Sequence, residues 1–231
     1  MNMETIERLK SQAEEQIKLA REEMAAAKTL ADSAKLLIKR AKARTNLTDR
    51  KVDLAKIQKE LAEKTRKLVD NKIKLKNEGL LEFLEEELKA EQAAAIHNEK
   101  VAEIQESIAK IEDEIAEKEV EIAKEKEKFA KEKMDVAKER EKLGKLTSDY
   151  VKALLTHQAA QQEGIAEKIH KAQEKVKDAQ EKYTKQQAEL IDEYKDVYEK
   201  QQKIWEKENE LADLQKKLSD KMAELEQIRH A

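Results

Sequence analysis

The sequence predicts an all-α protein made of long coiled-coil helices. Its 231 residues include no proline, three glycines and 43% charged residues, a composition typical of long helices rather than of a compact globule. Large apolar residues also recur at every seventh position over most of the chain, which indicates helices that pack against other helices along their length. We expect one elongated domain, residues 1–231, arranged as an antiparallel helical hairpin or a three-helix bundle and completed by self-association.

The first predicted helix spans residues 3–77. From Ala13 to Ala41, alanine occupies every seventh position of its seam. Around residues 45–49 the apolar phase slips by one residue, and the capping residue types found there predict either a break or a kink near Asn46. Beyond the slip, the predicted helix–helix seam is a row that we call the leucine stripe: Leu47, Leu54, Leu61, Leu68 and Leu75.

The first turn is predicted near Gly79. Glycine readily takes the left-handed conformation that ends a helix, and lysine in the last turn suits the helix dipole. Residues 28–77 carry 16 basic and 6 acidic side chains (net +10), whereas residues 78–145 carry 13 and 21 (net −8). A reversal at Gly79 would lay these two blocks side by side. In that hairpin the stripe residues from Leu75 back to Leu54 would face Leu81, Leu88, Ala95 and Ala102 in turn.

The second predicted helix spans residues 80–143, and a second turn is predicted near 144–148. Gly144 can end one helix, and Thr147 or its neighbours can cap the next; Gly164, by contrast, is expected inside a helix. Over 118–139 the position three residues after each large apolar residue is charged, so the seam there has few apolar side chains. A freestanding charged single helix is the alternative for this segment. The predicted seam is Val101, Ile108, Ile115, Ile122, Phe129, Val136 and Leu143, each followed by a small residue.

The third predicted helix spans residues 148–229. Over 190–212 its apolar stripe widens to include Tyr198 and Trp205, which indicates contact with more than one helix. These two aromatic residues are candidate anchors for a partner, and a core contact within the chain is the alternative. The predicted seam is Ile169, Val176, Tyr183, Leu190, Val197, Ile204, Leu211, Leu218 and Leu225.

The sequence offers almost nothing for chemistry, so we expect no enzyme, cofactor or metal site. Cysteine is absent, and the three glycines and four histidines are scattered. Di-iron bundles use paired Glu-x-x-His motifs, and only the single motif Glu167–His170 occurs here. No apolar run approaches the roughly 20 residues that span a bilayer, and the first residues lack a signal-peptide core. We therefore expect a cytoplasmic protein or a component of a macromolecular assembly.

A cluster of basic residues is the candidate contact for an anionic surface: Lys28, Lys35, Lys39 and Lys42. Basic blocks can mark nucleic-acid binding. The absence of interleaved aromatic residues and the adjoining acidic block argue against that partner, and internal charge pairing is the more economical explanation.

Three function classes follow. The first is a homo-oligomerising coiled coil that serves as a scaffold, spacer or filament subunit, with itself or other structural proteins as partners. Secondly, three long helices in a chain of this length resemble BAR-domain proteins in architecture, and a charged helical hairpin resembles the phage-shock and ESCRT-III families. These resemblances imply lipid binding through basic faces or an N-terminal amphipathic helix, with polymerisation on the membrane and membrane remodelling, but no family motif matches residue by residue. The third class is an adaptor that binds an unrelated protein through the Tyr198/Trp205 surface.

Overall fold

The computed structural model describes residues 3–79 and 85–230, and these residues form three long α-helices without any strand. Helix α1 spans Met3–Asn77, α2 spans Glu85–Glu163 and α3 spans Ala166–His230. The prediction of an all-α fold is confirmed. The heptad spacing and the scarcity of helix breakers explain why the helices are so long, because proline would interrupt the backbone hydrogen bonds of a helix interior.

Helix α1 ends at a glycine in the left-handed conformation. The φ angle of Gly79 is 72°, a value that glycine adopts without the steric cost of a Cβ atom. The N–H of Gly79 donates to the carbonyl oxygen of Lys76 at 2.9 Å, and the N–H of Glu78 donates to that of Lys74 at 3.0 Å. These bonds satisfy carbonyl groups that the end of the helix would leave unpaired. Leu81, which belongs to the predicted hairpin pairing, lies outside the described residues.

The predicted turn near 144–148 is wrong, because α2 continues without interruption through Gly144 to Glu163. A Cβ atom at Gly144 would lie 2.6 Å from Cγ1 of Ile17 and 3.1 Å from the carbonyl oxygen of Ala13. Glycine at this position therefore serves close packing of α1 against α2. The Thr147 hydroxyl donates to the Leu143 carbonyl oxygen at 2.8 Å, which is a contact of a helix interior and not a cap for a new helix.

The second interruption of the helices lies at Gly164, which the sequence analysis had placed inside a helix. Its φ angle is 73°, and its N–H donates to the carbonyl oxygens of Ala160 and Gln161 at 3.2 and 3.3 Å. The third helix accordingly begins at Ala166 instead of at residue 148. The seven-residue apolar row of α2 gives a signal for this break, since the positions after Tyr150 are His157 and Gly164.

The chain divides into two compact units, each of which contains a segment of all three helices. The first unit contains the described residues up to Leu36 together with Lys124–Trp205, and the second contains those of Leu37–Ala123 and Glu206–Ala231. The expectation of a single elongated domain stays a prediction.

The core of the first unit is made by residues from all three of its helix segments. Ile6 of α1 packs with Val151 and Leu154 of α2, and these three side chains are buried. Leu9 of α1 and Val176 of α3 are partly buried against them. Small side chains let α1 and α2 approach closely along the same unit. The alanines of this contact are almost completely buried: Ala13, Ala20, Ala27, Ala34, Ala130 and Ala137.

In the second unit, α1 is continuous through residues 45–49 and its buried row shows no phase slip. The row continues from Ala41 to Thr48 and Ala55 at the same seven-residue spacing, so the prediction that it passes to Leu47 is wrong. Thr48 is buried, and its hydroxyl oxygen lies 2.6 Å from Oδ1 of Asp113 on α2. A polar residue thus occupies the inward row at this position. For that reason the apolar pattern of the sequence does not show that the row continues from Ala41 to Ala55.

The predicted seams of α2 and α3 consist of side chains that are removed from solvent, either wholly or in part. On α2, Ile115, Ile122, Val136 and Leu143 are buried, and on α3 Ile204 is buried. Burial within 118–139 contradicts the alternative of a freestanding helix there. The remaining seam residues are partly buried: Val101, Ile108, Phe129, Ile169, Val176, Tyr183, Leu190, Val197, Leu211, Leu218 and Leu225.

Candidate interaction surfaces

A ladder of ion pairs joins α1 to α2 in the second unit. The position on α2 falls as the position on α1 rises, so the two helix segments are antiparallel. The rungs contribute positive charge from α1 and negative charge from α2, in agreement with the net charges of the two sequence blocks. We refer to the following five pairs as the ion-pair ladder: Arg44–Glu119, Lys51–Glu112, Lys59–Glu106, Arg66–Glu99 and Lys72–Glu91.

Glu106 is the best shielded carboxylate of the ladder. It is buried, and its two oxygen atoms lie 2.6 Å from Nζ of Lys110 and 3.0 Å from Nζ of Lys59. Hydrogen bonds from Lys110 and then from Lys59 hold the pKa of Glu106 below its usual value. The hydrogen bond to Glu106 and the charge of that carboxylate raise the pKa of Lys59. Both groups are therefore ionised together over a wide pH range.

The leucine stripe of α1 does not face α2, and the predicted pairing of its leucines with Leu88, Ala95 and Ala102 is wrong. Leu54, Leu61 and Leu68 are exposed to solvent by 58%, 65% and 64%. The stripe residues at its two ends, Leu47 and Leu75, are exposed by 61% and 37%.

The physical reason is the identity of the row that follows the stripe by one residue. Successive residues of an α-helix point about 100° apart, so a row that lies at the centre of the contact with α2 directs the adjacent row away from that centre. The inward row holds Thr48, Ala55 and Val69, all buried. Small side chains in this row allow close approach of the helices and bring the charged ladder residues within reach of α2. The large leucines are left on the outer side of α1.

An aromatic surface on α3 of the first unit is also exposed. Tyr198 and Trp205 are exposed by 61% and 65%, and Ile191 lies on the same seven-residue spacing and is exposed by 57%. These values contradict the alternative that the two aromatic residues form a core contact within the chain. The Tyr198 hydroxyl accepts a hydrogen bond of 3.0 Å from the side-chain amide of Gln202, which leaves the ring face open.

Arg140 is a connecting residue that the sequence analysis missed. Its Nη1 atom lies 2.7 Å from Oε1 of Glu23 on α1, and its guanidinium group lies 5.7 Å from the ring centre of Tyr194 on α3. It also donates a hydrogen bond to the Tyr194 hydroxyl. One side chain of α2 therefore contacts both other helices of the first unit. The only signal in the sequence is an arginine in a segment where the other basic residues are lysines.

In the second unit, four charged residues join α2 to α3. Lys118 of α2 lies 2.8 Å from Glu210 of α3 and 3.0 Å from Glu121, while Lys207 of α3 lies 2.7 Å from Glu121. Hydrogen bonds from Lys207 and then from Lys118 lower the pKa of Glu121. The hydrogen bonds that Lys118 donates to Glu210 and then to Glu121 raise the pKa of Lys118. This alternation of charge fixes the position of α3 along α2 within the unit.

One group of carboxylates in the first unit has the proximity that a metal site requires. Oxygen atoms of Glu132, Glu193 and Asp196 lie within 4.8 Å of one another. Burial, and then the negative charges of Asp135 and Asp196, raise the pKa of Glu193. Exposed acidic groups often lie together without an ion, and nothing else at this position indicates a ligand.

The Glu167–His170 motif does not form a ligand set. Both residues are exposed, and Glu167 accepts a hydrogen bond of 2.7 Å from Lys171. The Nε2 atom of His170 lies 3.8 Å from a carboxylate oxygen of Glu174, a spacing typical of neighbouring turns of one helix.

The four lysines that were predicted to contact an anionic surface are exposed. Lys28 and Lys35 belong to the first unit, whereas Lys39 and Lys42 belong to the second. The Nζ atom of Lys35 lies 3.6 Å from Oδ1 of Asp32 on the same helix. Within residues 3–79 and 85–230, no helix combines the length and the apolar character needed to cross a membrane.

Comparisons with known proteins yield weak structural similarity but no family. No protein-family model matches the chain. No curated protein matches it. Among solved structures, the EFC/F-BAR domain of Drosophila Syndapin/PACSIN is similar over 97% of this chain and 77% of that chain, with 17% sequence identity and a TM-score of 0.30. Similarity at this level carries no argument about function.

Proposed function

We propose that this chain is a structural assembly protein, a homo-oligomerising helical scaffold that serves as a spacer or filament subunit. The observation that carries the proposal is the exposure of the leucine stripe on α1. Leu54, Leu61 and Leu68 form a row of large apolar side chains that are exposed to solvent at every seventh position, and Ile57 is exposed between the first two. Contiguous apolar patches of several hundred Å² are rare on monomeric soluble proteins and mark interaction sites. Heptad spacing makes this patch suited to another helix.

The stripe is available because the contact between α1 and α2 does not use it. Small inward residues and the ion-pair ladder make that contact. Full burial of one leucine side chain contributes roughly 1.5–3 kcal/mol. A helix that covered the stripe would therefore gain apolar burial without disturbing the second unit. We assign no catalytic step, cofactor or metal to the protein in this proposal.

Sedimentation velocity of the unmodified chain tests the proposal. The fraction of material in large species should rise as protein concentration rises, because association follows mass action. A single species of 26.7 kDa at every concentration, including the highest that can be prepared, would contradict self-assembly. Mass that grows without limit would favour a filament subunit over a closed scaffold.

Membrane remodelling is a second candidate, and the exposed lysines of α1 favour it. Polybasic surfaces gain about 1 kcal/mol per lysine near an anionic membrane. The chain should then sediment with vesicles that contain phosphatidylserine but not with vesicles of phosphatidylcholine alone. Substitution of Lys28, Lys35, Lys39 and Lys42 by glutamine should abolish that binding. Equal binding by the substituted chain, or no binding by the original one, would reject this candidate.

The exposed aromatic surface of α3 supports an adaptor as a third candidate. Tyrosine and tryptophan are enriched among residues that dominate binding energy at interfaces. Tyr198→Ala with Trp205→Ala should abolish capture of one reproducible protein partner while self-association and helicity remain unchanged. Loss of self-association in the same variant would show instead that the surface joins copies of this chain.

A further inference from the structure

We propose that the leucine stripe of α1 packs against the leucine stripe of a second copy of this chain, with the two helices antiparallel. This inference rests on the proposed self-association and adds to it the face that is used and the orientation of the copies. The stripe lies entirely in the second unit, between Leu47 and Leu75. Ile57, exposed by 62%, adds to the same outer side of α1.

The apolar area of this face is close to what a stable dimer uses. Five of its six large apolar side chains are exposed by 58–65%, and Leu75 is exposed by 37%. Together they present on the order of 600 Å² per copy, against roughly 800 Å² per partner in an interface of standard size. Flanking charged residues, with their long aliphatic stems, would supply the remainder of such an interface.

The balance of charge along this segment of α1 fits a second copy better than an anionic surface. Residues 47–75 contain nine basic and five acidic side chains. Four of the nine basic ones form rungs of the ion-pair ladder with α2, which leaves five basic against five acidic. A lipid bilayer or a nucleic acid would select a net positive face. A segment whose remaining charges sum to zero presents no such attraction, and it presents little repulsion to its own copy.

Antiparallel orientation follows from the polar positions between the leucines. Parallel helices in register would place Arg50 against the same arginine of the other copy, and Lys64 against the same lysine, which is unfavourable at a buried seam. An antiparallel arrangement with Leu61 at the two-fold axis avoids both. It places Leu54 of one copy against Leu68 of the partner subunit, and the contact is closed and isologous.

The remaining charges along the stripe also favour this orientation. With the ladder residues set aside, residues 47–61 retain two basic and three acidic side chains, and residues 62–75 retain three basic and two acidic ones. Antiparallel packing therefore places the half of net charge −1 in one copy against the half of net charge +1 in the other. Parallel packing would set each half against a half of its own sign.

Disulfide formation between single-cysteine variants tests the face and the orientation together. The chain has no cysteine of its own, so each introduced thiol reports one position. Under mild oxidation, Leu61→Cys should form a covalent dimer with itself. Leu47→Cys should not form one alone, but it should form one when mixed with Leu75→Cys. A covalent dimer of Leu47→Cys alone, in a yield equal to that of Leu61→Cys, would overturn the antiparallel arrangement.

A variant with charged side chains in the leucine stripe provides a second test that needs no introduced cysteine. Leu54→Glu, Leu61→Glu and Leu68→Glu combined should weaken self-association by at least about a hundredfold. The helicity should be retained, because the leucines have no role in the contact with α2 and glutamate has a helix propensity similar to that of leucine. Met222→Glu, at an exposed α3 residue of the same unit, is the matched control and should not weaken association.

The two proposals fail in different ways in this experiment. If the unmodified chain associates and the triple variant associates equally well, this face is not the interface, while the proposed scaffold function stands. If the unmodified chain is monomeric at all concentrations, both proposals are overturned. A loss of association in Met222→Glu equal to that in the triple variant would also overturn the assignment to the leucine stripe.

Discussion

Gly144 of α2 and Ile17 of α1 are in such close contact that a Cβ atom at Gly144 would lie 2.6 Å from Cγ1 of Ile17. Real Cβ contacts are essentially never so short. Two helices approach at this point to a distance that only glycine allows. The same residue type therefore serves close packing at position 144 and ends a helix at position 164.

Gly144→Ala should destabilise the first unit although alanine is the better helix former. Alanine gains about 1 kcal/mol of helix propensity over glycine, whereas overpacking a close contact costs typically about 1–3 kcal/mol. The carbonyl oxygen of Ala13, 3.1 Å from the added atom, belongs to the backbone and cannot rotate away. We expect a net loss of about 1 kcal/mol in the free energy of unfolding by urea.

A double-mutant cycle provides the control for this prediction. Ile17→Ala removes the atom that the new Cβ would meet, so the double variant should lose less stability than the sum of the single variants. Gly164→Ala, where nothing lies within 4 Å of the added atom, should be destabilised by its φ angle alone and should be additive with Ile17→Ala. Additivity of Gly144→Ala with Ile17→Ala would contradict the close contact.

Glu106→Gln should lower the melting temperature at neutral pH, by at most about 4 °C for a chain of this size. The pKa of Glu106 is depressed in the folded state by Lys110 and then Lys59. A depressed carboxyl pKa contributes stability above the unfolded pKa of about 4.3, and the contribution is lost as pH falls through the folded pKa. The difference between variant and parent should therefore disappear in acid. A difference that persists at low pH would show that packing, and not charge, is responsible.

Glu193→Gln should have the opposite effect to Glu106→Gln and raise the melting temperature at neutral pH. Burial and the carboxylates of Asp135 and Asp196 raise the pKa of Glu193 in the folded state. Its ionised form is therefore destabilising above the folded pKa, and stability recovers as pH falls through that pKa toward the unfolded value of about 4.3. Melting curves should show the gain at pH 7 and none at about pH 3.5. A loss of stability at pH 7 would contradict the account of this cluster.

Arg140→Ala should cost about 0.5–1.5 kcal/mol, because it removes the hydrogen bonds that join α2 to Glu23 and to Tyr194. Among the described residues, Oε2 of Glu23 is buried and has no hydrogen-bond partner, so the carboxylate depends on the contact of its Oε1 atom with Arg140. Lys138→Ala is a suitable control, since Lys138 pairs with Asp135 of its own helix at 2.7 Å. Chemical denaturation should separate the two variants, and equal small losses would argue that Arg140 has no connecting role.

The sequence predicted the inward row of α2 because one large residue per heptad has no competitor there, whereas on α3 the row through Tyr198 and Trp205 competes with the predicted seam and is exposed. Ile115 and Ile122 with their following alanines leave one choice of face. On α1 two rows compete, and side-chain size alone predicts the row of leucines, whereas the row through Thr48 and Ala55 is the buried one. Heptad period gives the angle of a row but does not decide between neighbouring rows. Close helix packing favours the smaller side chains.

The glycines of α2 and of the α2–α3 connection show a second limit of prediction from sequence. Gly144 and Gly164 are equally isolated in sequence, and only the continuation of the apolar row distinguishes them. The seven-residue apolar row of α2 continues past Gly144, from Leu143 to Tyr150. After Tyr150 the next two positions of the row are His157 and Gly164, so the apolar pattern ends there. Arg140 gave no usable signal, because its two contacts lie on other helices and depend on the relative position of α1, α2 and α3 in the first unit.

Self-association through an outer helix face is the central claim, and the molar mass of the unmodified chain in solution tests it most directly. Light scattering on the chain as it elutes from a size-exclusion column gives that mass without assumptions about shape. We predict a mass of at least twice the 26.7 kDa of one chain at high concentration, falling toward that of one chain on dilution. A mass of 26.7 kDa throughout would contradict the account.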